Sequence, residues 1–95
     1  MLYSGSHDGN LYAVDIATGR EKWRFATGKK IKSSPAVANG VVFVGSNDRH
    51  LYAVEAESGE EIWRFKTADR VFGSPVVHEG VVYAGSDDGH LYALE

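Results

Sequence analysis

Three short turns hold the oxygen-rich chemistry of this sequence: Ser6-His7-Asp8-Gly9, Ser46-Asn47-Asp48-Arg49 and Ser86-Asp87-Asp88-Gly89. Clustered oxygens suit a hard cation such as calcium, but that ion takes about six to eight oxygen ligands, and each turn supplies one or two carboxylates. An Asp in such a turn ordinarily accepts N–H groups of the backbone that follows it, so turn formation is the expected role. His7, His50, His78 and His90 come without metal-ligand spacing. Because His50 and His90 occupy the same place in a repeat, two imidazoles on adjacent units sharing a zinc is the arrangement to weigh against solvated strand-edge histidines, which are the expectation. Cysteine is absent, which removes disulfides, thiolate metal sites and cysteine nucleophiles together. No Ser-His-Asp order, glycine-rich phosphate loop or zinc-protease helix occurs. The sequence thus predicts no catalytic residue, no cofactor and no metal.

What positions these turns is a repeat. The stretch GSNDRHLYAVEAESGEEIWRF, Gly45 to Phe65, has an earlier copy GSHDGNLYAVDIATGREKWRF, Gly5 to Phe25, and a later truncated one GSDDGHLYALE, Gly85 to Glu95, at a spacing of 40 residues. A period in this range marks a stack of supersecondary units, none of which can bury its apolar face alone. Positions matched between copies are turn formers and apolar packers, among them Gly5/Gly45, Asp8/Asp48, Gly19/Gly59, Trp23/Trp63, Phe25/Phe65 and Pro35/Pro75, whereas varied positions such as Arg20/Glu60 and Lys29/Asp69 are mostly charged.

Within a repeat, short alternating segments bounded by Gly, Asp, Asn and Ser predict strands, and no window sustains a helical period. The central copy reads as Ser34 to Ala38, Val41 to Ser46, His50 to Ala56 and Glu61 to Lys66. Asn39-Gly40 is a strong two-residue hairpin signal, since both residues tolerate the positive φ of a type I′ turn, and Glu79-Gly80 is its counterpart. Asn47-Asp48-Arg49 and Glu57-Ser58-Gly59 make the next turns, giving an up-and-down antiparallel sheet of strands a to d. Pro35 and Pro75, lacking a donor, belong at strand starts. The chain then runs b-c-d over residues 1–26, a-b-c-d over 27–66 and a-b-c over 67–95. Four-stranded sheets repeated every ~40 residues predict an all-β fold, a β-propeller segment of about two and a half blades; a β-solenoid would need shorter coils. Tyr12, Tyr52, Tyr92, Trp23, Trp63, Phe25 and Phe65 are the large groups expected to fill the space between blades.

Composition narrows the partners. With 43% hydrophobic and 24% charged residues and a net charge of −3 over 95 residues, the chain is ordinary globular material with no polyanionic partner implied. Lys29, Lys30 and Lys32 fall short of a nucleic-acid footprint, and no apolar run approaches the ~18 residues of a spanning helix. A chain this small buries about 60 to 65% of its unfolded surface, which is marginal, so a partner would help. Met1-Leu2-Tyr3-Ser4 aligns with Val41-Val42-Phe43-Val44, so the chain opens inside a repeat, as a segment of a longer array would.

Ala13-Val14-Asp15-Ile16-Ala17-Thr18-Gly19-Arg20-Glu21-Lys22-Trp23 resembles the tryptophan-docking motif of the PQQ-like (quinoprotein) propeller repeats, Ala-x-Asp-x-x-Thr-Gly-x-x-x-Trp, with every marked position present. The copy from Ala53 to Trp63 keeps Ala53, Gly59 and Trp63 but has Glu55 for the Asp and Ser58 for the Thr. No Trp-Asp pair closes a repeat, so the WD type matches poorly. The resemblance implies structural docking rather than reaction: an indole lying between the Ala of its own motif and the Gly-bearing turn of the next blade, its N–H on a backbone carbonyl. Residue choice agrees, because only a small side chain and bare backbone leave such a slot, and a buried indole needs an acceptor.

Quinoprotein dehydrogenases of that family hold pyrroloquinoline quinone over a Trp floor with calcium, a catalytic Asp and often vicinal cysteines, a constellation not identifiable here. The expectation is a non-catalytic scaffold that binds protein partners and self-associates through open blade faces; four chains of two blades would complete the eight-bladed ring common in the family, with one hairpin of each chain in surplus. The alternatives are a fragment of a quinone-dependent dehydrogenase whose cofactor residues lie on other blades, and a propeller that binds a sugar or small molecule. Composition leaves the compartment open, and the resemblance leans to the periplasm, the cell surface or secretion.

Overall fold

The computed structural model describes Met1–Glu95. Ten strands occur and no helix: β1 (Leu2–Gly5), β2 (Asn10–Val14), β3 (Glu21–Ala26), β4 (Ala36–Ala38), β5 (Val41–Gly45), β6 (His50–Glu55), β7 (Glu61–Lys66), β8 (Val76–His78), β9 (Val81–Gly85) and β10 (Leu91–Leu94). No helix long and apolar enough to cross a membrane is therefore present. They form three antiparallel sheets in the orders β1-β2-β3, β4-β5-β6-β7 and β10-β9-β8. The architecture is all-β, with one four-stranded blade between two three-stranded ones.

The central blade is buried on both faces, and period-two alternation says how. Val42, Val44, Tyr52 and Val54 join Leu11, Ile31 and Ala56 in one core cluster, with Tyr3, Trp23 and Phe25 packed against it. Phe43, Leu51 and Ala53, one residue out of phase, join Val71, Val82 and Ala84 in the other, with Trp63 and Leu94 at its edge. This two-sided burial is why β5 and β6 read as nearly continuous apolar runs. The outer sheets each keep one such face, so the core lies in the two seams between sheets.

The turns follow from backbone chemistry. Asn39 and Gly40 adopt φ of 50° and 76°, both positive as a type I′ turn requires, and this handedness matches the twist of the strands it joins. Strands are shorter than their sequence signals where a backbone donor is diverted. The first strand of the central blade begins at Ala36 rather than Ser34, because Pro35 has no N–H and that of Ser34 goes to Ser74 Oγ at 2.9 Å. β5 ends at Gly45 because the Ser46 N–H closes the following turn on the His50 carbonyl at 3.1 Å, and β6 ends at Glu55 because the Ala56 N–H turns to the Gly40 carbonyl at 2.9 Å.

Each completed β2-β3 or β6-β7 pair also contains an irregularity that alternation does not announce. Ala53 faces Trp63 but Val54 faces Glu61, leaving Ile62 as an extra residue, and Lys22 stands in the same position between Trp23 and Glu21. Such a bulge locally increases twist and re-aims the adjoining side chain, here the tryptophan.

Candidate functional site

The site most fully built in the chain is the slot that receives Trp23. β3 presents the indole opposite Ala13 of β2, which is fully buried, so the ring has only a methyl group on its own sheet to clear. Across the seam, Trp23 Nε1 donates to the Ala56 carbonyl at 3.0 Å, and the Tyr3 hydroxyl donates to the same oxygen at 3.2 Å. Gly59 lies against the indole: a Cβ there would stand 2.6 Å from the ring, and the residue has a φ of 77°. Glycine is required twice over at this position, by contact and by backbone.

The remaining motif residues shape the turn. Asp15 accepts the Ala17 N–H on its carboxylate at 2.9 Å and the Gly19 N–H on its carbonyl at 2.7 Å, while Thr18 Oγ1 accepts the Arg20 N–H at 3.2 Å. In the second copy the longer Glu55 carboxylate accepts the Ser58 hydroxyl at 2.8 Å, and Ser58 in turn accepts the Glu60 N–H at 3.2 Å. The Gly59 N–H still bonds the Glu55 carbonyl at 2.9 Å, so the turn keeps its form.

Two halves of this slot recur unfilled at the ends of the chain. Trp63 sits opposite fully buried Ala53 and tilts against Phe43 at a centroid distance of 5.9 Å. No carbonyl meets its Nε1, which keeps contact with solvent. The ring borders an open recess of about 260 Å³ with Arg64, Phe65, Leu94 and Glu95. At the other end, Gly19 is built like Gly59, with a φ of 71°, yet nothing approaches its Cβ position within 4 Å, and Ile16, which aligns with Ala56, is 71% exposed.

The Asp turns are tied internally. Asp8, Asp48 and Asp88 each accept the N–H two residues on, from Asn10, His50 and His90, and each takes the hydroxyl of the tyrosine four residues on, Tyr12, Tyr52 or Tyr92. The Tyr12 hydroxyl, then the Asn10 N–H, hold the Asp8 carboxyl down at about 2, and the Tyr92 hydroxyl does the same for Asp88, also about 2. Burial first, and then the Asp48 contact, push the Tyr52 hydroxyl up. These tyrosines were expected as apolar packers; their hydroxyls finish the turns as well, and the signal for it is the Asp-x-x-x-Tyr spacing present in all three copies.

The other candidates disperse. His50 and His90 lie tilted beside Tyr52 and Tyr92 of their own sheets, with centroids 5.7 and 6.1 Å away. No group of three His, Asp or Glu side chains is placed to hold a metal. The lysine loop works through its backbone: the Lys29 carbonyl accepts the Thr27 and Ser46 hydroxyls at 2.9 and 3.2 Å, and that of Lys30 accepts the Asn47 N–H at 2.8 Å. Thr27 and fully buried Ser46 lie 2.9 Å apart in the same seam. A second recess of about 350 Å³ is lined by Tyr3, Ser4, Gly5, His7, Lys32 and Ser33 among others.

Comparison with known proteins agrees with this architecture. The chain superposes on the computationally designed Ika4 protein with a TM-score of 0.85 at 20% identity, covering 96% of this chain and 57% of that one. BamB from Moraxella catarrhalis gives 0.84 at 16% identity, covering 98% and 28%. A europium-containing methanol dehydrogenase gives 0.78 at 22% identity, covering 97% and 20%. At these identities the likeness is one of fold, and the chain spans less than two thirds of each of these proteins. The search of curated proteins returns no match. Residues 7–95 match the family described as outer membrane protein assembly factor BamB, a span that takes in both tryptophan motifs and every strand but β1. The chain is therefore a partial propeller that belongs to this PQQ-type β-propeller family.

Proposed function

We propose that the chain is a non-catalytic propeller module that binds protein through its sheet faces. The observation that carries this reading is the division of labour among its side chains. The Asp, Ser and Thr groups that might do chemistry are engaged in turns and seams, whereas large apolar groups such as Ile62, Val76 and Leu91 stay 51%, 59% and 72% exposed. A contiguous exposed apolar patch commonly marks a protein interface, and these side chains are free to contribute to one. Membership of a family described by an assembly factor is consistent with a binding role.

A photo-reactive residue at position 62 or 91, activated in the native host, tests the reading. The expected result is one dominant crosslinked protein, identified by mass, that Val76→Asp abolishes. Titration with pyrroloquinoline quinone, followed through Trp23 and Trp63 emission, is expected to give no saturable quenching. Saturable quenching would favour the second reading, a segment of a quinone-dependent enzyme, for which the fold likeness to methanol dehydrogenase is the supporting observation.

A further inference from the structure

One loop is built twice in this chain with different electrostatics. The linker that follows β3, residues 27–33, and the one that follows β7, residues 67–73, cross their seams in the same way. The Lys30 carbonyl accepts the Asn47 N–H at 2.8 Å, and the Arg70 carbonyl accepts the Asp87 N–H at 2.8 Å. In the second seam the charges pair off: Arg70 Nε lies 3.0 Å from the Asp87 carboxylate and 3.9 Å from that of Asp69. In the first seam the equivalent positions hold Lys30, Asn47 and Lys29. Both carboxylates are gone, a cation replaces one of them, and Lys32 adds a charge where the second linker has Phe72.

Lys29, Lys30 and Lys32 are exposed and enter none of the ion pairs of the chain. The linker touches the turns that contain Asp8 and Asp48, but these carboxylates are taken up by the Tyr12 and Tyr52 hydroxyls and by the N–H groups of Asn10 and His50. The lysines also start from a fixed backbone, since the Lys29 carbonyl accepts the Thr27 and Ser46 hydroxyls in the closed seam. Groups held in place before binding lose less freedom when a partner arrives.

A strained residue supplies a fourth cation. Arg49, two residues beyond Asn47 in the turn that Lys30 bonds, has a φ of 76° where the other two turns have Gly9 and Gly89 at 92° and 86°. A side chain in this region carries backbone strain that glycine avoids. Nothing in the fold offsets it. The Arg49 carbonyl accepts the Thr67 N–H at 2.7 Å just as the Gly9 carbonyl accepts that of Thr27 at 2.8 Å, and the exposed guanidinium enters no ion pair. Strain of this kind, observed at one copy of a turn, points to a use outside the fold.

We propose that Lys29, Lys30, Lys32 and Arg49 form a docking surface for an acidic segment of a partner protein. A short run of Asp and Glu supplies to the first seam the carboxylates that Asp69 and Asp87 supply to the second. Four cations on a chain of net charge −3 complement a few carboxylates at close range, and they make no broad positive field of the sort that steers nucleic acid. The surface lies on the loops at one end of the sheets. It is separate from the apolar sheet faces of the reading above, so the two can fail independently.

Exchanging charges between the seams tests the proposal. Lys29→Asp with Asn47→Asp writes the second seam's charges into the first, and Asp69→Lys with Asp87→Asn does the reverse. None of the four side chains is buried, so both double variants should keep the far-ultraviolet spectrum of the wild type. The probe is a fluorescein-labelled hexaglutamate peptide, followed by anisotropy at low salt. The wild type should bind it saturably and release it as salt is added. The first double variant should bind about tenfold more weakly and the second about tenfold more tightly. Arg49→Gly should weaken binding severalfold with a Tm no lower than that of the wild type. Arg20→Asp with Lys22→Gln makes the same change of net charge as the first double variant, away from the proposed surface, and should bind as the wild type does. Equal weakening by this control reports net charge alone and overturns the proposal. Tighter binding of a labelled thymidine hexanucleotide or of anionic phospholipid vesicles overturns the acidic protein segment as the occupant. A wild type that leaves the peptide unbound overturns the surface itself and leaves the sheet-face reading to its own crosslinking test.

Discussion

Gly19 and Gly59 occupy the same place in two copies of one turn and have nearly the same φ, 71° and 77°, but only Gly59 touches an indole. A Cβ at Gly19 costs the left-handed backbone strain of about 1 kcal/mol. At Gly59 it costs that strain plus an overlap with the Trp23 ring, about 1–3 kcal/mol more for overpacking. Urea unfolding of Gly59→Ala and Gly19→Ala in dilute solution should show this difference, and equal losses would mean that the ring is not held against the turn. Acid gives a second test at this scale. Asp8 and Asp88 have carboxyls lowered from an ordinary 3.8 to about 2, so the stability they contribute is present above pH ~4 and is lost as pH falls towards ~2. Tyr92→Phe removes the largest cause of the Asp88 shift, and the fall in stability between pH 4 and 2 should become shallower; an unchanged slope counts against the hydroxyl as its cause. The turn role of these aspartates was legible from their Gly- and Ser-rich setting. The hydroxyl partners were not inferred, because an aromatic in a strand is read by its apolar body and the direction of its tip depends on the turn it reaches back to.

Strands repeat in sequence without repeating in environment. Leu11, Leu51 and Leu91 are one position of the pattern, yet two are sealed in seams against the next sheet and the third is 72% exposed, because no further sheet packs on that face of β10. Leu51→Ala should therefore cost about 2–5 kcal/mol by removing buried atoms and leaving a cavity, whereas Leu91→Ala should stay within about 0.5 kcal/mol in dilute solution. Losses of similar size from both would show that β10 is packed. Alternation and turn chemistry made every strand legible, since β5 and β6 alternate between two seams and their turns carry Asn, Gly and Asp. Strand ends and bulges were less so. The diverted donors of Ser34, Ser46 and Ala56 depend on acceptors elsewhere in the chain, and the extra residue at Lys22 or Ile62 is visible only once its partner strand is in register.

Across the whole molecule, the family was legible because its motif spells out a contact between consecutive blades, and the chain holds two motif tryptophans but one complete contact. Trp23 is tied across a seam within its own chain, so its loss weakens every molecule alike. Replacing it by Ala removes a large half-buried ring, at about 3 kcal/mol, a substantial share of the ~5–15 kcal/mol that holds a domain. For a domain of this size that corresponds to a fall of roughly 10–20 °C in Tm, the same at every protein concentration. Trp63 has no acceptor within the chain and packs at the edge of the second seam, so Trp63→Ala should lower the dilute Tm by less than Trp23→Ala does. If the open face beside Trp63 binds a second copy, mass action raises the wild-type Tm with concentration, and the variant should fall progressively behind it. Melting scans over a hundredfold range of concentration read both slopes. Parallel curves for wild type and Trp63→Ala would show that Trp63 contributes no contact between molecules.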